Sequence, residues 1–269
     1  MARRWAKLAV VGAATLALGG CGASDTPCAA KPGATPGSVQ APPDCPVSVA
    51  IAVDATGALQ DRDLARDAGA AAVRAAEHTI TAGGHLRMVV FAGDANAVEV
   101  IYDDQVPSLE ELDETRRGPM EHDLRRALGV TIDSALGVID DDPDLAARVR
   151  ELTRGGTSDI ARAVRNAVSD VKGQPGAGAV TLVSDGAQAS DQLMLAERLR
   201  AGDSSASLGA KLGDLLGSAD GVDVLQAVGL GRLPDRVNQS AQRTDELVEI
   251  WGAACERTGA ASCATTTEL

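Results

Sequence analysis

The chain has 269 residues, a formal net charge of −13, and very few aromatic residues: two Trp, one Tyr and one Phe. This length is enough for one large α/β domain, whose core must be built from Val, Leu, Ile and abundant Ala. The acidic balance argues against nucleic acid as a partner and against direct adsorption to anionic lipid headgroups.

The first twenty residues have the pattern of a secretory signal peptide, with a short basic start, an apolar stretch and then small residues. The apolar stretch is too short to span a bilayer comfortably as a permanent helix. Leu18-Gly19-Gly20-Cys21 resembles the bacterial lipobox, in which cleavage precedes a cysteine that carries diacylglycerol. The resemblance implies lipidation at Cys21 and a location on the extracytoplasmic face of the cell membrane. The alternative is an ordinary signal peptide cleaved nearby.

Residues 21–44 are rich in Pro, Gly, Ala and small polar residues, which predicts a flexible linker without its own core before a folded domain at 45–269. Removing residues 1–20 leaves 22 basic against 38 acidic side chains, a net charge of about −16. Four further cysteines lie near the ends of the mature chain: Cys28, Cys45, Cys255 and Cys263. In an oxidising compartment this even number predicts two disulfides, with three pairings open.

The stretch Val47–Ala58 reads V-S-V-A-I-A-V-D-A-T-G-A, an apolar run that stops at a carboxylate, a hydroxyl and a glycine. Such a run predicts a strand that is buried on both faces, as in a parallel sheet covered by helices. Ligands of such sheets bind in the crevice at the carboxyl ends of the strands. Asp54 and Thr56 are therefore expected at that edge.

The next elements follow from spacing and turn residues. An Ala-rich segment over 59–81 has helical spacing and ends at Gly83-Gly84. Residues 86–91 and 97–102 are predicted strands, joined through a turn at 93–96 as an antiparallel hairpin.

Residues 103–153 are strongly charged and predicted to be a mostly helical insertion, divided by Pro107, Gly118-Pro119 and Asp142-Pro143 into about three helices. Asp142 is the expected N-cap and Pro143 the first residue of the last of them. Because this insertion precedes a loop of the candidate site, it is also the expected source of partner specificity. Most of its charges are nevertheless expected to form an ordinary solvated face.

The remaining chain continues the alternation of strands and helices. Predicted strands lie at 179–183 and 222–230, and predicted helices at 160–171, 190–217 (with a loop near 203–205) and 245–258. A weak edge strand is predicted at 261–269. Together the elements predict an α/β fold with a doubly wound, mostly parallel sheet flanked by helices and one antiparallel edge hairpin strand.

Three loops should meet at one edge of this sheet, carrying Asp54 with Thr56, Thr157 after two glycines, and Asp185 before a glycine. Carboxylates and hydroxyls without imidazole or thiolate suit a hard cation such as Mg²⁺. In order and spacing these loops resemble the von Willebrand factor type A (vWA) family. The resemblance implies that Asp54, Thr56, Thr157 and Asp185 are the ligands of a metal-ion-dependent adhesion site, in which a carboxylate of the binding partner completes the coordination.

One position departs from the vWA pattern, since Ala58 stands where the family has a second serine and therefore offers no oxygen. The sequence thus predicts a binding module rather than an enzyme, one that engages a protein partner through a degenerate site. Two alternatives stay open. One is a metal-dependent phosphatase-like hydrolase, although Thr56 stands where such enzymes need a second aspartate. The other is a metal-free envelope assembly protein.

Overall fold

The computed structural model describes residues 28–42, 45–93, 98–109, 112–155, 157–232 and 240–269. The predicted signal peptide, Cys21 and most of the predicted turn at 93–96 lie outside these residues.

The main sheet has six strands among the described residues, in the order β10-β9-β6-β3-β4-β5. All neighbouring pairs are parallel except β4 and β5, which are antiparallel. The six strands are β3 (Val47–Asp54), β4 (Gly84–Phe91), β5 (Val98–Val106), β6 (Ala177–Val183), β9 (Val224–Val228) and β10 (Ser262–Thr265). Four short strands form two small antiparallel sheets: β1 (Lys31–Pro32) with β2 (Val39–Gln40), and β7 (Ala189–Ser190) with β8 (Leu193–Met194).

Helices cover both faces of this sheet. The helices are α1 (Ala55–Ala58), α2 (Arg62–Ala82), α3 (Glu114–Ala135), α4 (Pro143–Leu152), α5 (Ile160–Lys172), α6 (Leu195–Arg200), α7 (Ser205–Leu216) and α8 (Ala241–Arg257). Buried residues of α2, α3 and α4 form one apolar layer, and those of α5, α7 and α8 form the other. The central strands β3 and β6 are buried at every position because they lie between these layers. The predicted doubly wound α/β fold and the antiparallel hairpin of β4 and β5 are confirmed.

The insertion differs from the prediction in one respect. Gly118-Pro119 was expected to divide two helices, but α3 is continuous from Glu114 to Ala135 with Pro119 inside it. Pro119 is exposed, so its ring lies on the solvent side. Because proline has no backbone N–H, it cannot donate the helical hydrogen bond to the carbonyl of Thr115, and Thr115 is itself exposed. The predicted start of α4 is confirmed, because Asp142 accepts a hydrogen bond from the Leu145 amide at 2.9 Å and Pro143 is the first helical residue.

The predicted linker also differs from the prediction in its described part. Strands β1 and β2 pair, and Val39 of β2 and Ala30, just before β1, are each only 3 % exposed. The Gln226 side chain in β9 donates a hydrogen bond at 2.8 Å to the carbonyl of Gly37. Residues 28–42 are therefore part of the domain, because apolar side chains and a disulfide fix a segment whose Pro and Gly content is typical of a linker.

Both predicted disulfides are formed. Cys28 is bonded to Cys45, just before β3, and Cys255 of α8 is bonded to Cys263 of β10. The first bond fixes the segment that precedes the sheet, and the second joins the last helix to the edge strand. Among the described residues, no helix combines the length and the apolar character that crossing a bilayer requires.

Candidate functional site

The candidate site begins where β3 and β6 end. These two strands are parallel neighbours, with Val53 opposite Val183. Asp54, the last residue of β3, therefore emerges beside Ser184, and Asp185 follows one residue later. This is the carboxyl edge of a doubly wound sheet, where such folds bind their ligands.

Asp54 is 6 % exposed and accepts three hydrogen bonds. Its Oδ1 accepts from the Thr56 amide at 2.9 Å. Its Oδ2 accepts from the Ser158 hydroxyl at 2.9 Å and from the Ser184 hydroxyl at 3.0 Å. The last bond joins residues 130 positions apart in the sequence. The Asp54 carboxylate therefore links all three loops that the sequence analysis singled out.

Backbone pairing fixes the loop that carries Ser158. The Ser158 amide donates to the carbonyl of Ala189 at 3.1 Å, and the Ala189 amide donates back to Ser158 at 2.8 Å. On the other side, the Asp159 amide donates to the carbonyl of Gly93, just after β4, at 2.9 Å. Asp159 then caps α5 by accepting from the Arg162 amide. The Ser158 hydroxyl is thus positioned by neighbours on both sides.

Asp185 lies on a loop that is held from two directions. The carbonyl of Asp185 accepts from the Gly231 amide at 2.8 Å, and the carbonyl of Gly186 accepts from the Trp251 indole at 2.9 Å. The Asp185 carboxylate accepts from the Ala187 amide at 2.8 Å. The loop geometry is therefore set before any ligand is bound.

The two carboxyl groups affect each other's ionisation. Burial raises the pKa of Asp54, and the hydrogen bonds from Thr56, Ser158 and Ser184 oppose that rise. Burial, followed by the negative charge of Asp54, raises the pKa of Asp185 to about 7, and the bond from Ala187 opposes it. The main cause is burial, which disfavours the charged form of each carboxyl group, and the proximity of the two groups adds to it at Asp185. A proton or a metal ion would relieve this repulsion.

The hydroxyl oxygen of Thr56 is also buried. It lies close enough to Asp54 to lower the pKa of that carboxyl, yet it makes no hydrogen bond of standard geometry with the described residues. A buried hydroxyl oxygen without such a bond is uncommon in folded proteins. Two residues on, the Ala58 side chain is buried and supplies no polar atom.

Thr157 is placed differently from the other predicted ligands. Its side chain is exposed, and the hydroxyl that reaches Asp54 belongs to its neighbour Ser158. The structure thus brings Asp54, Thr56 and Asp185 to one edge of the sheet, and it places Thr157 on the outer side of the same loop.

A small, partly open cleft lies beside the carboxylates and leaves about 20 Å³ for the centre of a water-sized molecule, which is room for about one water or a metal ion. Its walls include Asp54, Asp185, Leu64 of α2, Arg232 and Leu269. The Arg232 guanidinium is half exposed and forms an ion pair with Asp67 at 3.3 Å, so one cation stands near the mouth of the cleft.

The atoms that could bind a metal ion here are all side-chain oxygens, which Mg²⁺ and similar hard cations prefer as ligands. They belong to Asp54, Thr56, Ser158, Ser184 and Asp185. The two carboxylates and the unbonded Thr56 hydroxyl fit such an ion. No three His, Cys, Asp or Glu side chains converge in the described part of the chain. Any metal bound here would therefore depend on hydroxyls and water for most of its coordination.

Sequence reasoning missed Ser158, Ser184 and Arg232. Each serine adjoins a predicted ligand, Thr157 or Asp185, and the continuation of β6 beside β3 is the signal that could have identified Ser184. No sequence signal distinguished Arg232.

No family model matches the sequence, and no curated protein matches it either.

Proposed function

We propose that this protein is a lipid-anchored, extracytoplasmic binding module of the vWA type, which engages a protein partner through the cleft at the carboxyl ends of β3 and β6. The observation that carries the proposal is the meeting of the buried Asp54 and the partly buried Asp185, two carboxyl groups from distant parts of the chain, with hydroxyls around them. Rigid strands and loops, rather than a mobile segment, hold these groups, and a preformed site favours recognition.

A divalent cation is the proposed mediator. Asp54, Thr56 and Asp185 would hold it directly, whereas Thr157, whose side chain is exposed on the outer side of its loop, would join them only if that loop turned inward. The metal would neutralise the two carboxylates and offer an open position to a carboxylate of the partner. Because Ala58 supplies no oxygen, water would fill that position, and the affinity should be lower than that of a complete site.

The membrane anchor rests on the sequence Leu18-Gly19-Gly20-Cys21, which resembles a lipobox. Two disulfides in the described part of the chain support an exported protein, since such bonds persist in oxidising compartments. A net charge of about −16 after removal of residues 1–20 makes electrostatic adsorption to anionic lipid a poor substitute for a lipid anchor.

The test is a pull-down from solubilised membranes of the source cells, with the purified domain as bait, in the presence of Mg²⁺ or of a chelator. The expected result is one or more proteins that are retained with Mg²⁺ and released by the chelator. Asp54→Asn keeps the size of the side chain and should abolish retention, whereas Asp191→Asn, on the exposed connection between β7 and β8, should leave it unchanged.

Two outcomes would contradict the proposal. If partner proteins are retained equally with the chelator and with Asp54→Asn, a metal-free assembly role would be favoured. Hydrolysis of a phosphate monoester that is lost in Asp54→Asn would favour the hydrolase alternative.

A further inference from the structure

A short segment of the chain runs along the edge of the candidate cleft. After β10, the Thr266 amide donates to the carbonyl of Ala227 at 3.0 Å, and the carbonyl of Thr266 accepts from the Leu230 amide at 3.1 Å. The carbonyl of Glu268 accepts from the Gly229 amide at 3.0 Å. Segment Thr266–Leu269 is therefore tied by its backbone to the residues just after β9.

The segment places an apolar side chain in the wall of the cleft. Leu269 lines the same cleft as Asp54 and Asp185, and it packs against the apolar layer that α2 forms with the sheet. Gly229 permits this close approach. It has a φ of +82°, and a Cβ there would lie 2.6 Å from Cδ2 of Leu269. A larger residue would push Leu269 out of its place.

The contrast between the two side chains at the end of the segment is informative. The Glu268 side chain is exposed to solvent, whereas Leu269 is partly buried although it lies on the rim of the domain. Apolar packing within the cleft therefore supports the docked position in addition to the backbone hydrogen bonds. Its isobutyl group therefore forms part of the same cleft wall as the two carboxyl groups.

We propose that segment Thr266–Leu269 is an internal occupant of the cleft, and that a partner or a metal ion gains full access to Asp54 and Asp185 only when Leu269 moves out. This regulation rests on the proposed function, because it assumes that the carboxylates are the binding site. The apparent affinity of such a site is reduced by the fraction of molecules in which the segment is displaced.

The test compares the full chain with two variants of the segment. Leu269→Ser removes the apolar group, and Leu269→Met retains a flexible apolar side chain of similar volume. Glu268→Gln is the matched control, since its side chain points to solvent in the same segment. The first measurement is the rate at which a water-soluble carbodiimide and glycine ethyl ester modify Asp54 and Asp185, read by mass spectrometry in the presence of a chelator.

The expected result is an increase of about tenfold in the modification rate at Asp185 for Leu269→Ser, if the docked form outweighs the displaced form by that factor. Leu269→Met and Glu268→Gln should stay close to the parent. Amide hydrogen exchange at Gly229 and Leu230 should also become faster in Leu269→Ser, because these amides are bonded to the segment. Equal modification rates and equal exchange in the parent and Leu269→Ser would overturn the proposal.

A second measurement separates this inference from the proposed function. Titration with Mn²⁺ by calorimetry should give an affinity about tenfold higher for Leu269→Ser than for the parent. If the two proteins bind Mn²⁺ equally and their carboxyl groups are modified at equal rates, the internal occupant is refuted but the proposed binding site is not. If Leu269→Ser is modified faster than the parent but neither protein binds Mn²⁺, the metal site is refuted but the internal occupant is not.

Discussion

Replacing Asp185 with Asn tests the electrostatics of the site most directly. The amide has the shape of the carboxyl group and can still accept the hydrogen bond from Ala187, but it never ionises. In the parent, burial and the charge of Asp54 raise the pKa of Asp185 from 3.8 to about 7. Between these two values the folded chain binds more protons than the unfolded chain, so the free energy of unfolding must fall as the pH rises.

The magnitude follows from that shift. Between pH 5 and pH 8 the raised pKa should cost the metal-free parent about 2.7 kcal/mol of stability, because two pH units lie between pH 5 and the pKa of about 7 and each contributes about 1.36 kcal/mol. For a domain of this size, this corresponds to a fall in Tm of roughly 5–11 °C. Because Asp185 is partly exposed to water, which weakens the effect of burial, we expect a fall in Tm near the lower end of this range.

The assay is thermal unfolding with a chelator at several pH values between 5 and 8, for the parent, Asp185→Asn and the control Asp191→Asn. The difference between the Tm of Asp185→Asn and that of the parent should be near zero at pH 5 and should increase with pH. The control should follow the parent. If the parent and Asp185→Asn show the same pH dependence, burial and the charge of Asp54 do not raise the pKa of Asp185 as described, and the electrostatic argument for a cation site fails.

Three further predictions concern other parts of the molecule. Ala58→Ser should supply the missing oxygen and raise the Mg²⁺ affinity of the isolated domain by calorimetry, whereas Ala58→Gly should not. Ser158→Ala should lower the free energy of unfolding by about 1.5–3 kcal/mol, because it removes a hydrogen bond to a buried carboxylate. Thr157→Ala, on the exposed side of the loop, should change stability little. Equal denaturant midpoints for the two variants would contradict this placement. Replacing Cys28 and Cys45 together by Ser should cost about 3 kcal/mol by the chain-entropy estimate for a 17-residue separation, and an unchanged denaturation midpoint would show that the segment before β3 does not depend on the bond.

Long apolar runs made the sheet predictable. The strands that end at Asp54 and Val183 consist mostly of Val, Ile, Leu and Ala, and such runs are typical of a sheet covered on both faces. The antiparallel hairpin followed from the short connection between the predicted strands. Asp142 and Pro143 marked a helix start because capping and a fixed φ act within a few residues.

Features that depend on distant contacts were not predictable. Residues 28–42 resemble a linker in composition, and only the contact of Gln226 with Gly37 and the Cys28–Cys45 bond reveal that they belong to the domain. Within the site, sequence spacing identified the correct loops but not the side chain that faces inward. The choice of Ser158 over Thr157 depends on how backbone pairing with Ala189 turns that loop.

The Cys28–Cys45 bond has a geometric consequence for a tethered protein. Cys45 lies at the amino edge of the sheet, just before β3, whereas Asp54 lies at the other end of that strand. The strand has eight residues and is therefore about 26 Å long. With a lipid on Cys21 as proposed, the segment from Cys21 to Cys28 spans at most about 25 Å when fully extended. The bilayer would then adjoin the bottom of the domain while the two carboxylates point outward, so a partner would approach from the surrounding medium or from an opposing surface.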